Sequence, residues 1–123
     1  MWLSQKDKKG NTLNKGKRYE DMACQYLRKK KFRIIEKNYR TRLGEIDIIC
    51  SFRNELIFVE VKGGKNSPEP FLRVNQQKLH RLERTMRHYL HHQESNWDYI
   101  RLDVISISEP DLYIKHFKDV LGQ

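Results

Sequence analysis

Cysteine is scarce: the 123 residues hold two, Cys24 and Cys50, each set in an apolar pattern. That argues against a disulfide framework and reads as a pair of buried free thiols, which suits a reducing cytosol. Long hydrophobic runs are missing too. No stretch approaches the roughly 20 apolar residues that cross a bilayer, and the N-terminus has no apolar export-signal core. The expectation is an unexported, cytoplasmic protein with no membrane partner. Internal repeats and low-complexity tracts are absent. His88 and His92 stand one helical turn apart beside His91, yet no Cys or acidic third ligand lies near them in a recognised zinc spacing. Their place near a helix C-terminus is explained by the helix dipole instead.

Positive charge is what the chain has in excess. Lys and Arg number 25 against 16 Asp and Glu, a net of +9, and the pI is about 9.7. The excess is lopsided: residues 1–31 carry ten Lys or Arg against three acids, and residues 94–123 carry three against six. Such a balance calls for a polyanionic partner, nucleic acid foremost and DNA before RNA. A basic solubilising surface or affinity for anionic membranes would leave the same compositional mark. The length fits one domain, with residues 1–13 as a flexible basic arm and 14–123 as the folded unit.

The chemistry concentrates in residues 44–62. Gly44-Glu45-Ile46-Asp47-Ile48-Ile49-Cys50 and Leu56-Ile57-Phe58-Val59-Glu60-Val61-Lys62 are β-branched and aromatic arms around a short polar bend, which predicts a β-hairpin. Centring the bend between Arg53 and Asn54 sets Ile46, Ile48 and Cys50 opposite Val61, Val59 and Ile57 on one apolar face. The other face pairs Asp47 with Glu60, Glu45 with Lys62 and Ile49 with Phe58. Two carboxylates roughly 5 Å apart at an effective dielectric near 20 repel by about 3 kcal/mol. A divalent cation would offset that, since Mg²⁺ takes one or two carboxylates and leaves room for water and a phosphate. Lys62, on the same face as Glu60, is placed to hold a phosphate oxygen or the attacking water. A solvated strand end would also carry a Glu-x-Lys pattern.

Around the hairpin the spacing predicts a helix from Asn14 to Lys31, with Tyr19, Met22, Ala23, Tyr26 and Leu27 recurring at three and four residues. Glu20 borders that stripe and can lean over the hairpin. A strand is expected over 32–39, and a loop over 63–73, where Gly63-Gly64, Pro68 and Pro70 fall. Lys65 and Arg73 lie in that loop. A second helix is expected over 75–92, burying Leu79, Leu82, Met86, Tyr89 and Leu90 with Lys78, Arg81, Arg84 and Arg87 on or beside its exposed arc. A strand from Asp98 to about Ser108 follows, then a short terminal helix over 115–121. This order predicts an α/β layer with a mixed sheet.

The segments Gly44-Glu45-Ile46-Asp47, Phe58-Val59-Glu60-Val61-Lys62 and Arg101-Leu102-Asp103-Val104 resemble the bacterial YraN-like family of uncharacterised proteins. That family is similar to the PD-(D/E)XK, restriction-endonuclease-like nucleases and to the archaeal Holliday-junction resolvases. The likeness spans residues 16–107 and implies a single-domain αβββαβ core with helices flanking a mixed central sheet. It implies that Asp47 and Glu60 bind Mg²⁺ or Mn²⁺, that Lys62 activates the water, and that Glu20 is the first-helix Glu of the site. Gln77 and Lys78 fall near a recurring Lys that contacts phosphate. Glu45 and Asp103 take supporting places, and Lys65, Arg73 and Arg81 join Gln77 and Lys78 as nucleic-acid contacts. Two places depart from the pattern. Tyr19 replaces a small residue, usually Gly, and Gly63-Gly64 replaces a frequent Thr and Arg.

The expected function is therefore a metal-dependent endonuclease acting on DNA, selective for branched or non-standard structures, and by analogy a homodimer. A non-catalytic nucleic-acid-binding module that keeps the fold is the rival, and an adaptor whose charge serves only solubility is the third.

Overall fold

The computed structural model describes residues 5–65 and 76–122, with side chains from residue 16 onward. Helix α1 (Gln5–Lys29) is followed by β1 (Arg33–Arg40), β2 (Glu45–Phe52), β3 (Glu55–Gly64), α2 (Gln76–His91), β4 (Tyr99–Ser108) and β5 (Tyr113–Phe117). The five strands form one sheet in the order β1-β2-β3-β4-β5. All neighbours are antiparallel except β3 and β4, which run parallel across the connection through α2. The fold is thus α/β with a mixed sheet, in the αβββαβ order of a restriction-endonuclease-like core. Among the described residues no helix is long and apolar enough to cross a membrane.

Each helix buries one apolar stripe on one side of the sheet. Tyr19, Ala23, Cys24 and Leu27 of α1 pack on Ile48, Cys50, Ile57, Val59, Ile105 and Ile107. Leu82, Met86 and Tyr89 of α2 pack on Ile46, Ile49, Leu56, Phe58 and Leu102. Strands β3 and β4 are covered on both sides, so consecutive residues 56–59 are all fully buried. That accounts for their unbroken apolar runs. Burying each such side chain contributes about 1.5–3 kcal/mol. Cys24 and Cys50 are buried free thiols, and burial pushes the Cys50 thiol up to about 12.

The hairpin register follows from its turn. Arg53 and Asn54 both take positive φ, 49° and 63°, as a two-residue type I′ turn requires. Ladder partners run from Phe52 and Glu55 through Ser51 and Leu56, Cys50 and Ile57, and Ile49 and Phe58 to Ile48 and Val59, as expected. There the ladder ends and the strands fork. Ile46 with Val61, Asp47 with Glu60 and Glu45 with Lys62 are not ladder partners. Glu45 pairs with Arg40 of β1 instead, and their side chains lie 3.5 Å apart.

The expected apolar face is also broken at the fork. Ile48 packs under α1 but Ile46 packs under α2. Strand β1 switches sides at the same level: Lys37 reaches Asp21 of α1 at 3.6 Å, whereas the Tyr39 ring meets that of Tyr89 in α2 edge-on at 5.2 Å. Between them Asn38 has φ 54°, a left-handed conformation that Asn tolerates better than most residues. Strict alternation cannot survive such a kink, which is why the extrapolated pairing fails beyond Ile48.

Three further boundaries differ from expectation. Helix α1 begins at Gln5 rather than Asn14. Strand β3 runs on through Gly63 and Gly64, which pair with Ile107 and Ser108 of β4. No terminal helix forms over 115–121: residues 115–117 belong to strand β5 and 118–121 are irregular or turn, because the outer edge of β4 needs a hydrogen-bonding partner and Ser108 to Val104 find one in Tyr113 to Phe117.

Candidate active site

Where β2 and β3 part, the backbone N–H of Val61 donates to the Asp47 carboxylate at 2.8 Å. A side chain has taken the place of a ladder carbonyl, which both ends the pairing and fixes the carboxylate. Alternation along β3 points Glu60 and Lys62 the same way as Leu56 and Phe58, toward α2, and Val61 and Gly63 toward α1. Asp47 and Glu60 meet closely enough for their carboxyls to share a hydrogen bond. Burial, then the neighbouring Glu60 charge, raises the Asp47 carboxyl to about 7, against the opposing pull of the Val61 N–H. Near neutral pH Asp47 therefore retains its proton part of the time.

Two lysines balance the acids. Lys78, from the first turns of α2, sets its ammonium 3.1 Å from a Glu60 carboxylate oxygen. Lys62 lies beside Lys78, and burial followed by that ammonium depresses its pKa. Glu20 of α1 completes the cluster. Its carboxyl is raised by burial and by Asp47, while a hydrogen bond with the Asn38 side chain works the other way. The kink at Asn38 thus supports the site as well as turning the strand.

Asp47 and Glu60 line two cavities. One, of 190 Å³, is bounded by Gly44, Glu45, Lys78, Arg81 and Leu82 on the α2 side. The other, of 490 Å³, is bounded by Gly16, Tyr19, Glu20, Val61, Lys62, Gly63 and Gly64. The carboxylate pair is thus reached from both layers. Gly44 lets the chain before β2 sit close on α2, since a Cβ there would lie 2.9 Å from Thr85 Oγ1, a buried hydroxyl that donates to the Arg81 carbonyl at 2.8 Å.

The two departures from the family pattern meet in the second cavity. A Cβ on Gly63 would fall 2.2 Å from the Tyr19 ring, so the ring fills the space in which a side chain at 63 would begin. The ring is buried and its hydroxyl donates to Glu109. The Glu109 N–H in turn donates to the Gly64 carbonyl at 2.9 Å. Aromatic bulk at 19 and its absence at 63 are one packing solution.

Asp47, Glu60, Lys62, Glu20 and Lys78 are therefore brought together, with Glu45 and Arg81 at the rim. Gln77 and Lys65 are exposed nearby in sequence, on α2 and just past β3, and Arg73 lies outside the described residues. Asp103 goes elsewhere. It is fully buried and accepts from Arg101 Nε at 2.9 Å, from the Asp119 N–H at 2.9 Å, and pairs with His116 Nε2 at 2.7 Å. Burial alone would raise its pKa, but those hydrogen bonds outweigh it and hold it low. His116 Nδ1 lies 3.0 Å from the Tyr26 hydroxyl, so the network ties β4, β5 and α1 together.

Sequence reasoning missed Asn38, the Tyr19–Gly63 contact and His116. An Asn inside a β-pattern was a signal for the first, whereas the others depend on partners distant in the chain.

Among the described residues no three His, Cys, Asp or Glu side chains close on one point. The donor set is two carboxylates side by side, Asp47 oriented by the Val61 N–H and Glu60 by Lys78. That fits Mg²⁺ or Mn²⁺, which complete a shell with water and substrate oxygens, and does not fit zinc.

Comparison with known proteins agrees with the pattern of the motifs. The profile of the uncharacterised protein family UPF0102 matches residues 19–107. A UPF0102 protein of Pseudothermotoga lettingae is 41% identical over 104 residues, covering 85% of this chain and 95% of the relative. Those of Kosmotoga olearia and Persephonella marina are 38% and 36% identical over 109 and 107 residues, covering 89% and 85% of this chain and 94% and 90% of theirs. The matched span contains Glu20, Asp47, Glu60, Lys62 and Lys78, and the chain belongs to the uncharacterised protein family UPF0102, the YraN-like family.

Proposed function

We propose that this protein is a metal-dependent endonuclease that hydrolyses phosphodiester bonds in cytoplasmic DNA, with branched or otherwise non-standard structures as its substrates. The observation that carries the reading is the contact of Asp47 with Glu60 at the β2–β3 fork, with Lys62 alongside. Buried carboxylates in conflict, lining an accessible cavity, are what a cation site demands and what a purely structural site avoids.

Asp47 and Glu60 would hold the cation, Asp47 releasing its retained proton as they do so. Mg²⁺ or Mn²⁺ bound there supplies Lewis-acid polarisation of the phosphate and a bound water of lowered pKa. The Val61 N–H keeps the Asp47 carboxylate oriented. Lys62, held in a partly desolvated position, offsets charge developing on the phosphate oxygens. Glu20, steadied by Asn38, faces the larger cavity and accepts a hydrogen bond from water or substrate there. Lys78 and Arg81 supply backbone phosphate contacts with Lys65, Arg73 and Gln77, so the shape of the nucleic acid outweighs base sequence. A branched substrate with two-fold symmetry suits a homodimer.

The test is a cleavage panel of single-stranded, duplex, flap and four-way DNA with Mg²⁺ and Mn²⁺, comparing the parent chain with Glu60→Gln and Lys62→Ala. Metal-dependent cutting by the parent, lost in both folded variants, is the expected result. No cutting of any substrate, or cutting that survives Glu60→Gln, would sink it. One contact favours a second reading as a non-catalytic DNA-binding module: the Lys78–Glu60 pair at 3.1 Å gives the acids a protein cation. Salt-dependent DNA binding without cleavage, unchanged in Asp47→Ala, would select that module.

A further inference from the structure

Helix α2 delivers Lys78 to the carboxylates at its start, and its far end carries a feature the cleavage chemistry does not use. Arg84, Arg87, His88, His91 and His92, with Leu43 and Leu90, line an open groove of 570 Å³ that, among the described residues, no acidic side chain borders. Along α2, Arg84, His88 and His91 share the side of Arg81, each step three or four positions long. From Lys78 to His91 the axis advances about 20 Å, which spans about six base pairs at 3.4 Å each.

A solvated helix face would leave such side chains to wander, but the histidines here are tied down. The Tyr39 hydroxyl lies 2.7 Å from His88 Nδ1, and His92 Nδ1 donates to the His88 carbonyl at 2.9 Å. The two rings stack with centroids 4.4 Å apart. Both rings thus use Nδ1 within the fold, so a ligand would meet them at Nε2. Ordering them in advance removes part of the entropy that binding otherwise costs.

We propose that this groove is a second nucleic-acid contact: it grips the sugar-phosphate backbone of a duplex arm about six base pairs from the scissile phosphate. Arg84 and Arg87 carry the phosphate attraction, the histidines brace it, and Leu43 and Leu90 offer apolar contact to the sugars. The inference rests on the DNA reading above and extends it: the protein measures the length of an arm as well as the presence of a branch.

The experiment is fluorescence anisotropy on the full chain in EDTA, where nothing is cut. The probes are four-way junctions whose hairpin-capped arms are about four or about fourteen base pairs long, shorter and longer than the six-pair reach. The parent chain is expected to bind the long-armed junction at least about tenfold more tightly. An Arg84→Glu, Arg87→Glu double variant should lose that gain and bind the short-armed junction as the parent does. Its salt dependence on the long-armed junction should be shallower by about two phosphate contacts. Both arginines are exposed, so folding is checked by an unchanged Tm. Equal weakening on both junctions, or none on either, would overturn the inference and leave the cleavage reading standing. A parent chain that binds neither junction at low salt would overturn both.

Discussion

Two carboxylates of this sheet meet opposite electrostatic fates. Asp103 is enclosed by an arginine, an imidazole and a backbone N–H, and its carboxyl is held below the usual range. Asp47 is half-buried, and that burial together with the neighbouring Glu60 carboxylate raises it to about 7. Val59, the ladder partner of Asp103, is the immediate neighbour of Glu60, so the contrast arises within a few residues of one sheet. Burial sets the stakes for an ionisable group, and its partners decide whether it stabilises the fold or stands ready for something else.

The sharpest way to break this contrast is to remove each charge in turn. Asp103→Ala removes the carboxylate that Arg101, His116 and the Asp119 N–H all meet and should cost about 3–5 kcal/mol, read by urea unfolding. Asp47→Asn keeps an acceptor for the Val61 N–H and relieves repulsion, so stability should hold or rise by about 1 kcal/mol while metal-dependent cleavage is lost. A destabilised Asp47→Asn with an unaffected Asp103→Ala would reverse the two assignments.

The packing beside the fork offers the next largest effect. Gly63→Thr drives a side chain into the Tyr19 ring and should cost about 1–3 kcal/mol. Combined with Tyr19→Gly, the cost should be smaller than the sum of the single changes by about 1 kcal/mol or more. Strict additivity in that double-mutant cycle would mean that the ring and the glycine do not share space.

Titration separates the two carboxylates with a smaller signal. A raised pKa means that the folded state binds more protons than the unfolded one between about pH 4 and pH 7. Asp47 therefore lowers stability as pH rises through that window, and the loss ends above about 7. Asp103, with a lowered pKa, contributes stability above its unfolded pKa that disappears as pH falls through its folded value, below about 4. Tm against pH in EDTA should thus fall between pH 4 and 7. Asp47→Asn should flatten that slope, and Mg²⁺ should reduce it by binding the ionised pair. A slope untouched by Asp47→Asn would assign it to other groups.

What was legible in the sequence was local. An even-length bend centred between Arg53 and Asn54 and the alternation of its flanks set the register of five consecutive pairs. The helical stripe at Tyr19, Ala23 and Leu27 found the face of α1; Asp47 and Glu60 do meet, but at the fork, where the pairing that suggested it has already ended. Rules of alternation stopped working where a side chain replaced a backbone acceptor at Asp47 and where Asn38 took a left-handed turn. Strand β5 was illegible for a different reason. Its residues carry no strong strand pattern, and the open edge of β4 that recruits them lies in another part of the chain. His116 was hidden with it, so the partner of Asp103 could not be named.

The contact between Tyr19 and Gly63 has a consequence for inheritance. Two positions that compete for one volume cannot drift independently: a lineage that sheds the ring at 19 gains freedom to add bulk after Lys62, and one that adds that bulk first is penalised until the ring goes. Relatives should therefore fall into two groups by the pair they carry, and ancestors caught between them should be rare.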